Sequence, residues 1–227
     1  MNGPSKRLKL ALASCVFLAV LEPVAWCVMM FSPSEFELAT TGLSSLRFFT
    51  VQSNLLLGLA SLIYAIYIVR LMRGGPGVPS WAHKLKFVGT VAVTVTLVTV
   101  LVFLGPIIGY DKMFTGANFC FHLIFPVLAI VEFVFWDTTN LLPFKATPLG
   151  ALPTFVYGLG YGINIFVNGV GSGANTNDWY HFTMFGIENI PILFLMMLLF
   201  SWLLGVVLNA ANTRVQRRLA ESFPRGI

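Results

Sequence analysis

The sequence predicts an all-α polytopic membrane protein, a single bundle of six transmembrane helices with both termini on the cytoplasmic side. Three observations carry that expectation. Of 227 residues, 57% are hydrophobic and only 10% charged, whereas a soluble domain carries about 25% charged residues. A water-soluble fold of this size could not hide so much apolar side chain, so the bilayer is its natural solvent. The apolar residues also fall into six runs, and the basic residues gather on one side of the connections between them.

Crossing roughly 30 Å of hydrocarbon takes about 20 helical residues. Runs of that length lie near residues 8–31, 46–71, 85–108, 117–137, 149–169 and 184–208. The first follows Lys6, Arg7 and Lys9 and contains Leu12-Ala13-Ser14-Cys15, which looks like a lipoprotein cleavage box. Too few residues separate Lys9 from Cys15 for the about 7–15 apolar residues of a signal peptide. The run also continues to Phe31, so it reads as a retained helix. The fifth run is the most dilute, broken by Gly158, Gly160, Gly162, Asn164 and Asn168. The segment from Arg73 to Pro79 is a turn rich in Gly and Pro. No connection has room for a soluble domain, so residues 1–227 form a single transmembrane domain. After Asn209 the basic tail 209–227 is expected to continue as a short helix along the membrane surface.

The charge pattern sets the direction. Lys6, Arg7, Lys9, Arg70, Arg73, Lys84, Lys86, Lys145, Arg214, Arg217, Arg218 and Arg225 share one side. The other side has only Arg47 and Lys112, beside Glu35, Glu37, Asp111 and Asp178. Positive charge stays inside, and two cytoplasmic termini require an even number of crossings. The net charge of +5 therefore marks orientation, and no nucleic-acid partner is expected. The partners to expect are membrane lipids and a lipid-like small molecule. The oligomeric state is left open. Cys15, Cys27 and Cys120 show no metal-ligand spacing, so neither a metal nor another cofactor is expected.

Polar groups inside apolar spans are costly and usually face a cavity or a partner. They include Glu22, Thr50, Gln52, Ser53, Asn54, His122, Glu132, Asn164, Asn168, Glu188 and Asn189. At about 1.5 Å of rise per residue, Thr50, His122 and Glu188 lie roughly 6 Å below the outer surface, Asn54 about 12 Å and Glu22 about 13 Å. Asn168 is near the outer end of its span. Thr50 and Asn54 share a helix face, as do Asn118 and His122, and Asn164 and Asn168. Three helices thus present polar pairs toward one end, and the simplest arrangement is a polar pocket in the outer half of the bilayer. There Thr50 or Ser53 could supply a nucleophilic hydroxyl and His122 the base. Asn54, Asn168 or Asn189 could hold an oxyanion, and Glu22 or Glu188 could orient the imidazole or bind a proton. Glu132 is expected to snorkel or to pair with a basic residue such as Lys145. His83 is expected to join the cytoplasmic basic cluster, and Trp179-Tyr180-His181 could line the pocket mouth.

The segment Arg47-Phe48-Phe49-Thr50-Val51-Gln52-Ser53-Asn54-Leu55-Leu56 is the most distinctive in the chain, with His122-Leu123-Ile124-Phe125-Pro126 in the fourth span. Together they resemble motifs of a bacterial family of six-span membrane proteins. That family is in turn similar to the androgen-induced membrane hydrolases of animals, which cleave fatty acid esters of hydroxy fatty acids with an intramembrane threonine and histidine. The resemblance implies Thr50 as nucleophile, His122 as general base and a bacterial plasma membrane as the location. The expected function is hydrolysis of lipid esters. The alternatives are a small transporter or binding protein for a lipid or apolar solute, in which Glu22, Glu188 and the asparagines bind solute or protons, and a non-catalytic membrane subunit.

Overall fold

A computed structural model of the protein describes residues 5–31, 42–137, 139–173 and 176–222. Glu35, Glu37 and Arg225 lie outside the described residues. Six helices are long and apolar enough to cross a membrane: α1 (Lys6–Phe31), α2 (Phe49–Met72), α3 (Ser80–Ile108), α4 (Ala117–Trp136), α5 (Phe144–Asn168) and α6 (Ile187–Glu221). Their outward faces carry half-exposed or more exposed apolar side chains such as Val20, Ile66, Val102, Ile163 and Leu195. Water would not tolerate that coat, and hydrocarbon favours it.

The first four helices form the core. α1 packs on α2 and α2 on α3, and α4 closes the group against α1 and α3. Close approach depends on small residues. A Cβ at Gly89 of α3 would lie 3.0 Å from the Leu57 Cα of α2, so the two backbones meet where glycine leaves room. The remaining two helices pack against α3, and α6 also covers the end of α4. Gly158 of α5 sits against the Phe194 ring of α6. Gly162, one turn later, has nothing within 4 Å of the Cβ it lacks.

Long-range hydrogen bonds define the two ends of the bundle. At one end Arg7 Nη1 donates to the Phe135 carbonyl (2.9 Å), Asn140 Nδ2 to the Val78 carbonyl (3.0 Å) and Asn212 Nδ2 to the Phe133 carbonyl (2.7 Å). The start of α1, the α2–α3 and α4–α5 connections and the last turns of α6 therefore share this end, which collects most of the basic residues. We call it the basic end. At the far end Trp26 Nε1 donates to Ser45 Oγ (3.0 Å) and the Tyr157 hydroxyl to the Arg47 carbonyl (2.7 Å).

Two expectations change here. The tail after Asn209 prolongs α6 without a break, in one helix over Ile190–Ser222. Asn209 and Asn212 are buried in the bundle, which binds this stretch to protein and not along a surface. Span three begins at Ser80, not near 85, so Lys86 lies two turns inside it and is fully buried.

Three stretches relax to π-helical bonding: Val100–Leu104 in α3, and Cys120–Ile124 and Glu132–Trp136 in α4. Pro106 and Pro126 follow the first two at once. A proline cannot donate and pushes on the carbonyl four residues back, so the ladder loosens on its N-terminal side.

Candidate functional site

A cavity of about 90 Å³ lies at the far end, between the four-helix core and the α5–α6 pair. Its apolar wall comes from Val100, Phe103 and Leu104 of α3 and Leu193, Phe194 and Met197 of α6. Thr50, Thr96, Thr99, Thr154, Tyr157, Tyr161 and Tyr180 add hydroxyl-bearing side chains. No charged residue lines it among the described residues. The space borders the π stretch of α3.

The polar corner is built around the start of α2. The residue before the helix is Phe48, whose side chain cannot cap the free N–H groups. Tyr180, in the loop before α6, supplies the cap. Its phenol oxygen accepts the Phe49 N–H at 2.8 Å, and the N–H and hydroxyl of Thr50 also turn to it. Burial pushes the Tyr180 phenol up to about 12, although these donors and Tyr157 pull it down. It therefore stays protonated at neutral pH and does not act as a base.

The loop carrying Tyr180 is a folded roof. Asp178 is buried beneath it and accepts the Phe182 N–H (2.9 Å), the Thr183 N–H (2.8 Å) and the hydroxyls of Tyr161 and Thr183. Burial opposes its charge, yet these donors hold its carboxyl below the usual aspartate range. Around it Phe48, Tyr157, Tyr161, Trp179, Tyr180 and Phe182 form an aromatic cluster. The Arg47 guanidinium lies 5.3 Å from the Phe48 ring centre and 5.5 Å from a Trp179 ring centre.

Of the candidate residues, Thr50 lines this cavity and the others lie elsewhere. His122 is buried on α4, and its Nδ1 meets the Met113 carbonyl at 2.6 Å. A carbonyl can only accept, so Nδ1 carries the hydrogen and Nε2 keeps its lone pair. Asn54 donates from Nδ2 to the Thr50 carbonyl (2.7 Å) and to the Phe121 carbonyl (3.3 Å). It thereby ties the turn that holds Thr50 to the turn that holds His122, but no hydrogen bond joins Thr50 to His122 among the described residues. Ser53 bonds Thr96 Oγ1 at 3.1 Å inside the core. Asn164 donates to Asn177 (3.1 Å) and Asn168 to Asn164 (2.9 Å), which ties the end of α5 to the loop. Glu188 and Asn189 are exposed, and Asn189 donates to the Phe185 carbonyl (2.7 Å). Glu22 is buried against Gly58 in the core.

A second polar region went unrecognised in the sequence. Lys86 Nζ lies 3.1 Å from Glu132 Oε2 and donates to Ser61 Oγ at 2.9 Å. Glu132 thus pairs with Lys86, while Lys145 is exposed. His83 is buried with its Nε2 3.0 Å from Asp137 Oδ2, and the Tyr64 hydroxyl donates to Asp137 Oδ1 at 2.7 Å. Both residues were expected at a wet surface. The signal that could have found them is spacing: His83, Lys86 and Thr90 recur at three and four residues, one helical face.

The chain matches no family model, no curated protein and no solved structure in comparisons with each.

Proposed function

We propose that the protein binds the acyl chain of a lipid-like molecule in the far-end cavity, as a small lipid-binding or transport protein. The cavity itself carries this reading: an uncharged, mostly apolar space with hydroxyls gathered at the start of α2. An apolar chain gains by leaving its own kind only if it finds close contact, and aromatic walls offer that. A polar head would meet the hydroxyls of Thr50 and Tyr180 at the start of α2, which can bond its oxygens. In this reading the basic end faces the cytoplasm of a bacterial plasma membrane, and the cavity lies in the outer half of the bilayer.

The test is thermal unfolding of the purified protein with and without a medium-chain fatty acid. The expected result is a rise in the midpoint that Thr99→Phe, which fills the cavity, abolishes. Thr50→Ala should weaken binding by about 0.5–1.5 kcal/mol, one hydrogen bond's net worth. An equal rise in wild type and Thr99→Phe would overturn the reading.

One observation favours ester hydrolysis as a second reading. Thr50 lines the cavity, and Asn54 holds its turn to that of His122, whose Nε2 is free to take a proton. That chemistry needs the Thr50 hydroxyl to turn from Tyr180 and come within hydrogen-bond reach of His122; the Thr50 oxygen then attacks the ester carbonyl carbon and its proton passes to His122. The alcohol leaves with that proton, and water then releases the acid from acyl-Thr50. A fluorophosphonate probe should label wild type, lose Thr50→Ala entirely and label His122→Ala weakly. Absence of both labelling and ester turnover in wild type would leave binding alone.

A further inference from the structure

The four-helix core holds two carboxyls for one ammonium. Glu22, Lys86 and Glu132 are all fully buried. Lys86 is committed to Glu132 at 3.1 Å and to Ser61 at 2.9 Å. The Cys15 thiol donates to the other Glu132 oxygen at 3.8 Å. Glu22 has no such arrangement: its carboxyl oxygens are sealed from solvent, and among the described residues no side chain bonds them and the backbone N–H of Gly58 turns toward them. They lie where Gly58 leaves space; a Cβ there would sit 2.6 Å from Oε2. Gly58, which Glu22 faces, and Ser61, which takes Lys86, lie one helical turn apart on α2.

The nearby His83–Asp137 pair does not supply a second cation. Asp137 engages His83 and accepts the hydroxyl of Tyr64, and it also receives the Thr139 N–H (3.1 Å) and hydroxyl (3.0 Å). An unpaired carboxylate in such a core costs several kcal/mol, and a bound proton removes the cost.

We propose that Glu22 and Glu132 share one exchangeable proton over the single ammonium of Lys86, which makes the four-helix core a proton-binding site. At rest the proton is on Glu22 and Lys86 pairs with Glu132. On release the O–H bond breaks, its electron pair stays on the Glu22 oxygen, and the proton leaves for solvent. Lys86 then faces two carboxylates and is drawn from Glu132 toward α1. Gly58 and Ser61 are about 4.5 Å apart along α2, with Ser61 nearer the basic end, so the shift of charge points from the basic end toward the membrane middle. The ligand is a proton, since no group of three or more His, Cys, Asp or Glu side chains could hold a metal among the described residues. The site is separate from the cavity, and none of its residues lines that space.

Infrared difference spectra of the full chain in liposomes, in H2O and D2O, test this. Wild type should show the carbonyl band of a buried carboxylic acid, shifted by deuterium. The band should vanish in Glu22→Gln. It should vanish also in Glu132→Gln, because Lys86 then neutralises Glu22 as a carboxylate. Gly58→Ala, which crowds the Glu22 carboxyl, should move its frequency, and the exposed Glu188→Gln should leave it unchanged. Survival of the band in Glu22→Gln or Glu132→Gln, or no shift in D2O, would overturn the proposal. Should Glu22→Gln fail to fold, the Glu132→Gln and Gly58→Ala spectra decide.

Discussion

The two ends of the bundle bury polar groups in opposite ways. Toward the basic end Lys86, Glu132, His83 and Asp137 are charged or titratable and tightly matched, with contacts of 3.0–3.1 Å. At the far end the cavity is lined with hydroxyls and aromatic rings and carries no charge. In a medium of low dielectric a charge must have its partner at hand. A hydroxyl needs only a nearby carbonyl, and Thr90, Thr94 and Thr96 find one on their own helix, four residues back. Charge closes one end of the core; at the other, Asp178 is held in the roof loop and the cavity lining stays uncharged.

The sharpest break of this contrast is Lys86→Met, which strands Glu132 without a cation. It should destabilise by about 3–5 kcal/mol, read as a collapse in folded yield and unfolding temperature. Lys86→Met combined with Glu132→Leu should recover most of the loss. A single variant as stable as wild type would mean that the pair does not hold the core.

Next comes packing. Gly158→Ala drives a methyl into the Phe194 ring and should cost about 1–3 kcal/mol. Gly162→Ala, on the same helix, meets open space and should be neutral or stabilising by up to about 1 kcal/mol. Thermal unfolding of the two variants side by side separates contact from composition.

Tyr180→Phe removes the cap of α2 and should cost about 1 kcal/mol, with faster amide exchange at Phe49 and Thr50. The smallest effect at neutral pH concerns Asp178. Its carboxyl is held low in the folded protein, so its contribution is present above the usual aspartate range and lost as pH falls through the lower folded value. Protection factors in segment 178–186, with the intrinsic pH dependence of exchange divided out, should therefore be flat through neutrality and fall only in acid. Asp178→Asn should exchange faster at neutral pH and lose that acid step.

Much of the fold was legible because six apolar runs and a one-sided charge pattern are local properties. Lys86 was misread because His83 and Lys84 beside it resemble a loop, and its partner Glu132 lies on a different helix. The Tyr180 cap was equally hidden, since it joins residues 131 apart in the chain. Thr50 stood out as a polar residue in an apolar run, and it does face a cavity. Its helical neighbour Asn54 did not follow it there. A shared face spans a range of directions, and tertiary packing sends Asn54 to the Phe121 carbonyl and Thr50 to Tyr180.

The claim that the far-end cavity receives an acyl chain is tested most directly by a fatty acid with a photoreactive diazirine at its tail. After irradiation in liposomes, the sites of attachment are mapped by mass spectrometry of peptides. The expected result is labelling concentrated on Phe103, Phe194 and Met197 and removed by Thr99→Phe. Labelling spread along the lipid-facing residues Leu195, Leu199 and Val207, and unchanged in Thr99→Phe, would contradict it.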